Sequence, residues 1–172
     1  MSALHEIIIS MVQLRPASET DAPGIRALVH QAQLNPLDLD WPRFTVAVSQ
    51  DGELVGCGQV KTHRDGSREL ASIVVAPAFR NQGIARAIIE HLMARHPGIL
   101  YLTCRSSLGP FYERLGYRRV QQDEMPQYFR RVSRLFRLLN KAHIISREGL
   151  LVMRREDGAG NSLLAGKALG RS

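Results

Sequence analysis

A strand, a short loop and a helix follow one another in the middle of the chain, and a second strand comes after them. Residues 69–76 form an apolar run rich in Ile and Val, which predicts a strand buried on both faces. Residues 83–95 carry apolar side chains three and four positions apart, which predicts a helix, and the apolar run 99–104 predicts the next strand. Strands joined by a helical crossover pair in parallel. The core of the fold is therefore predicted to be a βαβ unit.

Further strands and helices are predicted on both sides of this unit. The additional strands are expected at residues 7–15, 44–49, 53–61, 117–120 and 150–154. The additional helices are expected around residues 25–32, 110–115 and 127–141. An Asp51-Gly52 turn predicts a hairpin, and Gly56 and Gly58 in its second strand predict a bulge or a close backbone approach. The order of these strands and helices along the chain predicts one mixed α/β domain.

Composition is typical of a globular domain. At about 150 residues per domain, a length of 172 residues predicts a single domain. Apolar residues make up 44% and charged residues 23%, which argues against disorder. No apolar run approaches the roughly 20 residues of a membrane helix, and the first ten residues lack the basic segment of a signal peptide. Two cysteines form no disulfide framework, so we expect a cytoplasmic protein with reduced thiols.

The positive charge of the chain is concentrated in one stretch. The formal net charge is +7, and residues 105–141 hold nine cations and three anions, a net of +6. Such a field favours a polyanionic ligand, which could be a phosphorylated cofactor, a nucleic acid or a membrane surface. We expect residues 1–155 to form the domain, with a basic helical insertion at about 127–142. The Gly-, Ala- and Ser-rich residues 156–172 are expected to be a disordered tail.

The loop between the buried strand and the helix has the features of an anion site. The N–H groups of a helix's first turn lack partners, and together with the helix dipole they favour a negative group. Gly83 lets a phosphate approach the main chain, Ala85 keeps the next turn small, and Arg80 and Arg86 add charge. A Gly-x-Gly-x-x-Gly pattern and an acidic residue near 100–105 are missing, which disfavours a dinucleotide fold, and no Gly-Lys-Ser/Thr of a P-loop occurs.

Two motifs resemble those of the GNAT superfamily of acyl-CoA-dependent N-acetyltransferases. Residues 80–85, Arg-Asn-Gln-Gly-Ile-Ala, resemble its pyrophosphate loop, Arg/Gln-x-x-Gly-x-Gly/Ala. Residues 111–117, Phe-Tyr-Glu-Arg-Leu-Gly-Tyr, resemble its aromatic-Tyr-x-x-x-Gly-aromatic motif, about 30 residues downstream. The resemblance covers roughly residues 7–155. It implies a GNAT-type fold, a mixed and mostly antiparallel sheet with a V-shaped splay, flanked by helices.

The resemblance also implies an activity and a cofactor. It implies transfer of the acetyl group of acetyl-CoA directly to a primary amine, within a ternary complex. Ile73, Val74 and Val75 would offer backbone groups to the pantetheine arm, and an N–H near Val74 would stabilise the developing oxyanion. The residues that would wrap the pyrophosphate are Arg80, Asn81, Gln82, Gly83, Ile84, Ala85 and Arg86.

The candidate catalytic residues are one proton donor and two alternative proton acceptors. Tyr112 stands where the family often has a general acid that protonates the departing thiolate, or it is a structural aromatic beside Phe111. A substrate ammonium with a pKa near 10 is mostly protonated at pH 7, so a proton acceptor helps. Glu69 is the first candidate for this base and His63 the second. Both could instead be polar residues that flank a turn, and a water chain would serve without either.

Residues 104–108, just before the aromatic motif, include a departure from the family pattern and a cysteine. Many members carry Asn-x-x-Ala before the aromatic-Tyr pair, and here those positions are Arg105 and Leu108. Arg105, or one of the two serines after it, could replace the Asn contact with the cofactor, or Arg105 could bind an acidic part of the acceptor. Cys104 could in principle form an acyl intermediate, but no His stands near it in sequence, which favours a buried apolar role. No metal is expected, because the His and Cys residues lack ligand spacing.

The basic helix at 127–141 has an apolar stripe and a basic stripe. The apolar stripe is predicted to comprise Phe129, Val132, Leu135, Phe136 and Leu139. In GNAT folds this connection lies near the acceptor pocket and is often shorter. The helix is therefore expected either to dock on the sheet with a solvated basic face or to form a wall of the acceptor site. Membrane or nucleic-acid contact is less favoured, because aromatics do not interleave with the charges.

Three function classes remain open from the sequence. The first is an acetyl-CoA-dependent N-acetyltransferase, and the second is a CoA-binding regulatory module without turnover. The third is a basic adaptor for nucleic acid or a membrane surface. The resemblance around Gly83 favours the transferase over the adaptor, and Tyr112 argues against a module without turnover. The acceptor is expected to be a small-molecule amine or a peptide or protein amine. Neither a nucleic-acid nor a membrane partner is then expected, and a homodimer is compatible with the resemblance.

Overall fold

The computed structural model describes residues 12–141 and 148–156. Within these ranges there are seven strands: β1 Val12–Pro16, β2 Phe44–Ser49, β3 Leu54–Thr62, β4 Arg68–Val75, β5 Leu100–Arg105, β6 Arg118–Arg119 and β7 Leu150–Arg155. The same ranges hold four α-helices: α1 Ala22–Gln31, α2 Ile84–Arg95, α3 Gly109–Glu113 and α4 Gln127–Lys141. The predicted elements are confirmed, with bounds that differ by a few residues. Residues 7–11 of the first predicted strand and 157–172 of the predicted tail lie outside the described residues.

The chain divides into two compact units. Of the described residues, the first unit comprises those from Val12 to Lys61 together with Leu70–His96, and the second comprises Thr62–Glu69 together with those from Pro97 onward. Strand β4 begins in the second unit and continues in the first. The strand order is β1-β2-β3-β4-β5-β7-β6, which confirms a mixed α/β fold with a mostly antiparallel sheet. The V-shaped splay of this sheet stays an expectation.

The sheet of the first unit is covered by two helices that pack on strand β3. Strands β1, β2 and β3 pair antiparallel, with Leu14 opposite Ala47 and Val46 opposite Cys57. Cys57 belongs to a buried cluster with side chains of α1. Its neighbour Gly58 meets α2, since a Cβ there would lie 2.9 Å from a methyl carbon of Ile88. Alternate residues of a strand face opposite sides. The predicted close approach at the β3 glycines is therefore confirmed.

In the second unit, β7 lies between β5 and β6 and is antiparallel to both. The start of β4 pairs with β5 in parallel, with Glu69 opposite Tyr101, which confirms the βαβ connection. A buried cluster comprises Tyr101, Val120, Met125, Phe129 and Val152, so the first turn of α4 is packed against this sheet. Among the described residues, no helix combines the length and apolarity that a membrane span needs.

The apolar stripe predicted for α4 is only partly correct. Phe129 is fully buried and Val132, Phe136 and Leu139 are half-buried, but Leu135 is 58% exposed. The buried cluster contacts the first turn of the helix, and later turns have less to pack against. Periodicity alone predicts which face of a helix is apolar, and it does not predict how far the partner surface extends along it.

Candidate active site

The loop after β4 has backbone geometry suited to an anion. It contains a 3₁₀ turn at Pro77–Phe79 and leads to Gly83, which precedes α2 and has a left-handed φ of 81°. Asn81 also has a positive φ, 62°, a conformation that Asn tolerates better than most residues. A left-handed residue followed by a helical one directs successive N–H groups into one concavity. The N–H groups of the first turn of α2 have no intrahelical acceptor, so they are free to bind a phosphate oxygen.

The side chains of this loop add positive charge without a nearby carboxylate in sequence. Arg80 is exposed, and its Nε donates to the carbonyl oxygen of Val75 at 3.1 Å, which holds the guanidinium beside the end of β4. No Asp or Glu occurs in residues 76–89. Arg86 is exposed on α2 and pairs with Glu90, Nε to Oε1, at 2.8 Å. A cationic loop with unpaired N–H groups fits a pyrophosphate, so the residues present fit coenzyme A.

The remaining loop residues differ in what they can offer. Asn81 is exposed, whereas Gln82, Gly83 and Ala85 are half-buried. Gln82 donates from Nε2 to the carbonyl oxygen of Ala78 at 3.3 Å. Ile84 is 2% exposed, so its side chain belongs to the core and only its backbone can meet a ligand.

Strand β4 contains an irregularity that the sequence did not predict. Ser72 has a φ of 56°, a conformation that costs a residue with a Cβ about 1–2 kcal/mol. Its hydroxyl accepts a hydrogen bond from Nε2 of Gln59, which is fully buried, at 3.1 Å. The residues expected to bind pantetheine follow at once: Ile73 is half-buried, and Val74 and Val75 are buried. A glutamine in the middle of an apolar strand was the available signal for this contact.

The second unit brings together the two candidate bases. Glu69 is buried, and its Oε2 lies 3.0 Å from Nε2 of His63. Its other oxygen, Oε1, accepts a hydrogen bond from the hydroxyl of Thr103 at 3.2 Å. The side chains of His63 and Glu69 are only 12% and 9% exposed. From the sequence, Glu69 and His63 were alternative candidates for the base. The hairpin between β3 and β4 instead brings them together as one hydrogen-bonded pair.

Tyr112 lies in a different aromatic cluster of the same unit. It is buried and packs edge to face with Phe111 and Tyr117, at centroid distances of 5.1 and 5.9 Å. Burial, with a smaller contribution from Cys104, raises the pKa of the Tyr112 phenol well above its usual value. The phenol therefore stays protonated throughout the neutral range, as a proton donor must.

Cys104 and the segment after it have structural partners. The Cys104 thiol is buried and lies 3.8 Å from the sulfur of Met153, and burial raises its pKa to about 11, against the opposing charge of Arg119. Arg105 is exposed at the end of β5. The hydroxyl of Ser107 donates to Glu148 at 3.2 Å. Within the described residues, no three His, Cys, Asp or Glu side chains are grouped as metal ligands.

Comparison with known proteins finds matches among acetyltransferases. Residues 40–119 match the model of the acetyltransferase (GNAT) domain. The chain is 27% identical over 78 residues to CT2212, an uncharacterized N-acetyltransferase of Chlorobaculum tepidum, across 44% of this chain and 50% of the relative. It thus spans about half the length of this curated relative. Residues 40–119, a little under half of the chain, are therefore similar to a GNAT acetyltransferase domain.

Solved structures share the fold at low sequence identity. N-acetylglutamate synthase from Neisseria gonorrhoeae, complexed with coenzyme A and N-acetyl-glutamate, matches with a TM-score of 0.65 and 20% identity, over 84% of this chain and 35% of the synthase. Rv2747 from Mycobacterium tuberculosis, in complex with CoA, matches with a TM-score of 0.62 and 22% identity, over 84% of this chain and 98% of Rv2747. The ribosomal-protein-S18-alanine N-acetyltransferase from Escherichia coli matches with a TM-score of 0.60 and 21% identity, over 88% of this chain and 98% of that enzyme. These likenesses concern the fold.

Proposed function

We propose that this protein is an N-acetyltransferase that moves the acetyl group of acetyl-CoA directly to a primary amine. The observation that carries the proposal is the loop at residues 76–83, which ends in a left-handed Gly83 at the start of α2. This geometry suits a pyrophosphate, and the match to the GNAT domain supports acetyl-CoA as the cofactor that carries this pyrophosphate. Arg80 and the first-turn N–H groups would hold that pyrophosphate. Acetyl-CoA would supply a thioester that an amine can attack.

The proton acceptor in this proposal is the His63–Glu69 pair. An ionised carboxylate only accepts hydrogen bonds, so the imidazole carries its proton on Nε2, facing Glu69. Nδ1 then has a lone pair that can take the proton of the attacking amine. Glu69 fixes this tautomer and stabilises the imidazolium that results, while Thr103 fixes the carboxylate. His63 is the group that meets the acceptor, and Glu69 acts through it.

Transfer without a covalent enzyme intermediate is supported by the state of both thiols. Cys57 is fully buried, and burial raises its pKa to about 12. Cys104 is also buried, with its pKa raised to about 11. The thiolate is the nucleophilic form, and both groups hold their protons at neutral pH. The amine nitrogen itself would therefore form the new C–N bond as the C–S bond breaks.

The acceptor in this proposal is a small-molecule amine or the amine of a peptide or protein. N-acetylglutamate synthase and the S18-alanine N-acetyltransferase share the fold and act on these two kinds of amine, by their names. The two free cysteines fit a reducing compartment, and we place the protein in the cytoplasm on that ground.

A screen of amines with acetyl-CoA tests the function. Release of free CoA thiol is measured for amino acids, polyamines, aminoglycosides and peptides with free N-termini. We expect amine-dependent release with at least one class, and a product that is heavier by one acetyl group in mass spectrometry. Saturable binding of acetyl-CoA without release for any amine would instead support a CoA-binding module. Absence of binding would overturn the proposal.

Replacing Tyr112 by Phe removes the proposed proton donor and little else. We expect kcat to fall about tenfold to a hundredfold, because the departing thiolate loses a positioned donor. The dissociation constant of acetyl-CoA should not change, and the edge-to-face packing with Phe111 is kept by the Phe ring. Phe111→Leu is the control for a packing defect in the same cluster. A wild-type kcat in Tyr112→Phe would show that Tyr112 is a structural aromatic.

A further inference from the structure

The first turn of helix α4 is attached to the turn that carries His63. The backbone N–H of Tyr128 donates to Oδ2 of Asp65 at 2.7 Å, across 63 positions of sequence. The other carboxylate oxygen of Asp65 accepts from the backbone N–H and the hydroxyl of Ser67, at 3.1 and 2.6 Å. First-turn N–H groups have no acceptor within their own helix, so Asp65 supplies one. The hairpin turn and the helix are therefore joined by a charge-assisted hydrogen bond.

The ionised state of Asp65 is supported by its neighbours. Burial alone would raise its pKa, but the hydrogen bonds from Ser67 and Tyr128 lower the pKa below its usual value. Asp65 therefore remains a carboxylate at neutral pH, and the bond to α4 persists there.

The rings of α4 enclose the imidazole of His63. Tyr128 stacks on it, with ring centroids 3.4 Å apart and an interplanar angle of 12°. Phe129 meets the same imidazole edge to face, at 5.7 Å and 89°. With Glu69 hydrogen-bonded to Nε2, the ring is contacted on a face, on an edge and at a nitrogen. Contacts of these three kinds restrict rotation about both side-chain bonds of a histidine.

Phe129 anchors this arrangement in the core of the second unit. It is fully buried, lies 5.1 Å from Tyr101 between ring centroids, and shares its cluster with Met125 and Val152. Tyr128 is its neighbour in the chain, and the two rings pack edge to face with centroids 5.1 Å apart, so the buried Phe129 ring supports the Tyr128 ring. Further along the helix, Leu135 and Leu138 are exposed. The connection of α4 with the His63 turn thus belongs to its first turn.

We propose that Tyr128 is a positioning residue for His63, and that the first turn of α4 holds the imidazole with Nε2 toward Glu69. The inserted helix then serves the acceptor side of the reaction through one stacked ring. The kinetic part of this proposal rests on the proposed function, since it concerns the acceptance of the amine's proton. The structural part, an imidazole ordered by Tyr128, holds for the protein by itself.

The test compares Tyr128→Leu, Tyr128→Phe and the control Leu138→Gln, which lies on an exposed part of the same helix. Ring-proton resonances of His63 are assigned in the cofactor-free protein, and kcat and KM are measured for the amine found in the screen. In the wild type, stacking should shift the His63 resonances upfield of those of the other histidines. Tyr128→Leu should lose this shift and lower kcat about tenfold, with an unchanged KM for acetyl-CoA. Tyr128→Phe and Leu138→Gln should keep both values.

Each outcome decides the proposal. A Tyr128→Leu variant that keeps the wild-type kcat and the wild-type positions of the His63 resonances would overturn it. Equal losses in Tyr128→Phe and Tyr128→Leu would overturn the role of the stack. If Tyr128→Leu fails to fold, the wild-type resonances and the Tyr128→Phe kinetics still decide it. If no amine is acetylated, the proposed function fails, whereas the resonances still show whether Tyr128 orders His63.

Discussion

Gly83→Glu is expected to abolish saturable binding of acetyl-CoA, with a loss in affinity of at least about a hundredfold. The substitution places a carboxylate where the pyrophosphate should meet the first-turn N–H groups of α2. The new charge would itself take up those N–H groups and would repel a phosphate beside Arg80. Isothermal titration calorimetry of both proteins with acetyl-CoA measures the effect.

Gly52→Glu is the matched control for this prediction. Gly52 has a φ of 82°, close to the 81° of Gly83, and a Cβ there would meet nothing within 4 Å. Both variants therefore add the same charge and the same backbone strain, but only one adds them at the loop. We expect Gly52→Glu to bind acetyl-CoA like the wild type. Similar affinities for Gly83→Glu and Gly52→Glu would refute the assignment of residues 76–83 as the pyrophosphate loop.

The local elements of this fold could be predicted because short-range rules specify them. Pro77 follows the end of β4, Gly83 precedes α2 in a conformation that glycine adopts without strain, and Asp51-Gly52 makes the hairpin turn. Such signals depend on neighbours in sequence, so composition and periodicity reveal them. The same holds for Gly56 and Gly58, since a missing side chain in an apolar strand indicates an approaching element.

The site could be predicted only in part, because its contacts connect distant positions. Glu69 and His63 were each recognised by chemical type, but their hydrogen bond depends on the register of a hairpin. The bond from Tyr128 to Asp65 spans 63 positions, and no periodicity encodes it. The left-handed Ser72 is likewise invisible in a run of strand-forming residues, since its partner Gln59 lies on another strand.

Glu69→Gln is expected to lower kcat about a hundredfold while the affinity for acetyl-CoA stays unchanged. The amide keeps an oxygen for the hydroxyl of Thr103, and it then presents an N–H group to Nε2 of His63. The imidazole must accept that hydrogen bond, so its own proton moves to Nδ1. The lone pair that should receive the amine's proton is thereby lost, although the side chains occupy the same positions.

Steady-state kinetics with the amine from the screen measure this effect, and calorimetry with acetyl-CoA gives the affinity. Glu53→Gln is the control, because it removes the same charge from an exposed residue of the β2–β3 turn. His63→Gln should lose a similar factor in kcat, and the double variant should lose little more than either single one, since the two residues act as one unit. Additive losses would mean that they serve separate steps. A wild-type kcat in Glu69→Gln would mean that the amine's proton leaves by another route, such as a water chain.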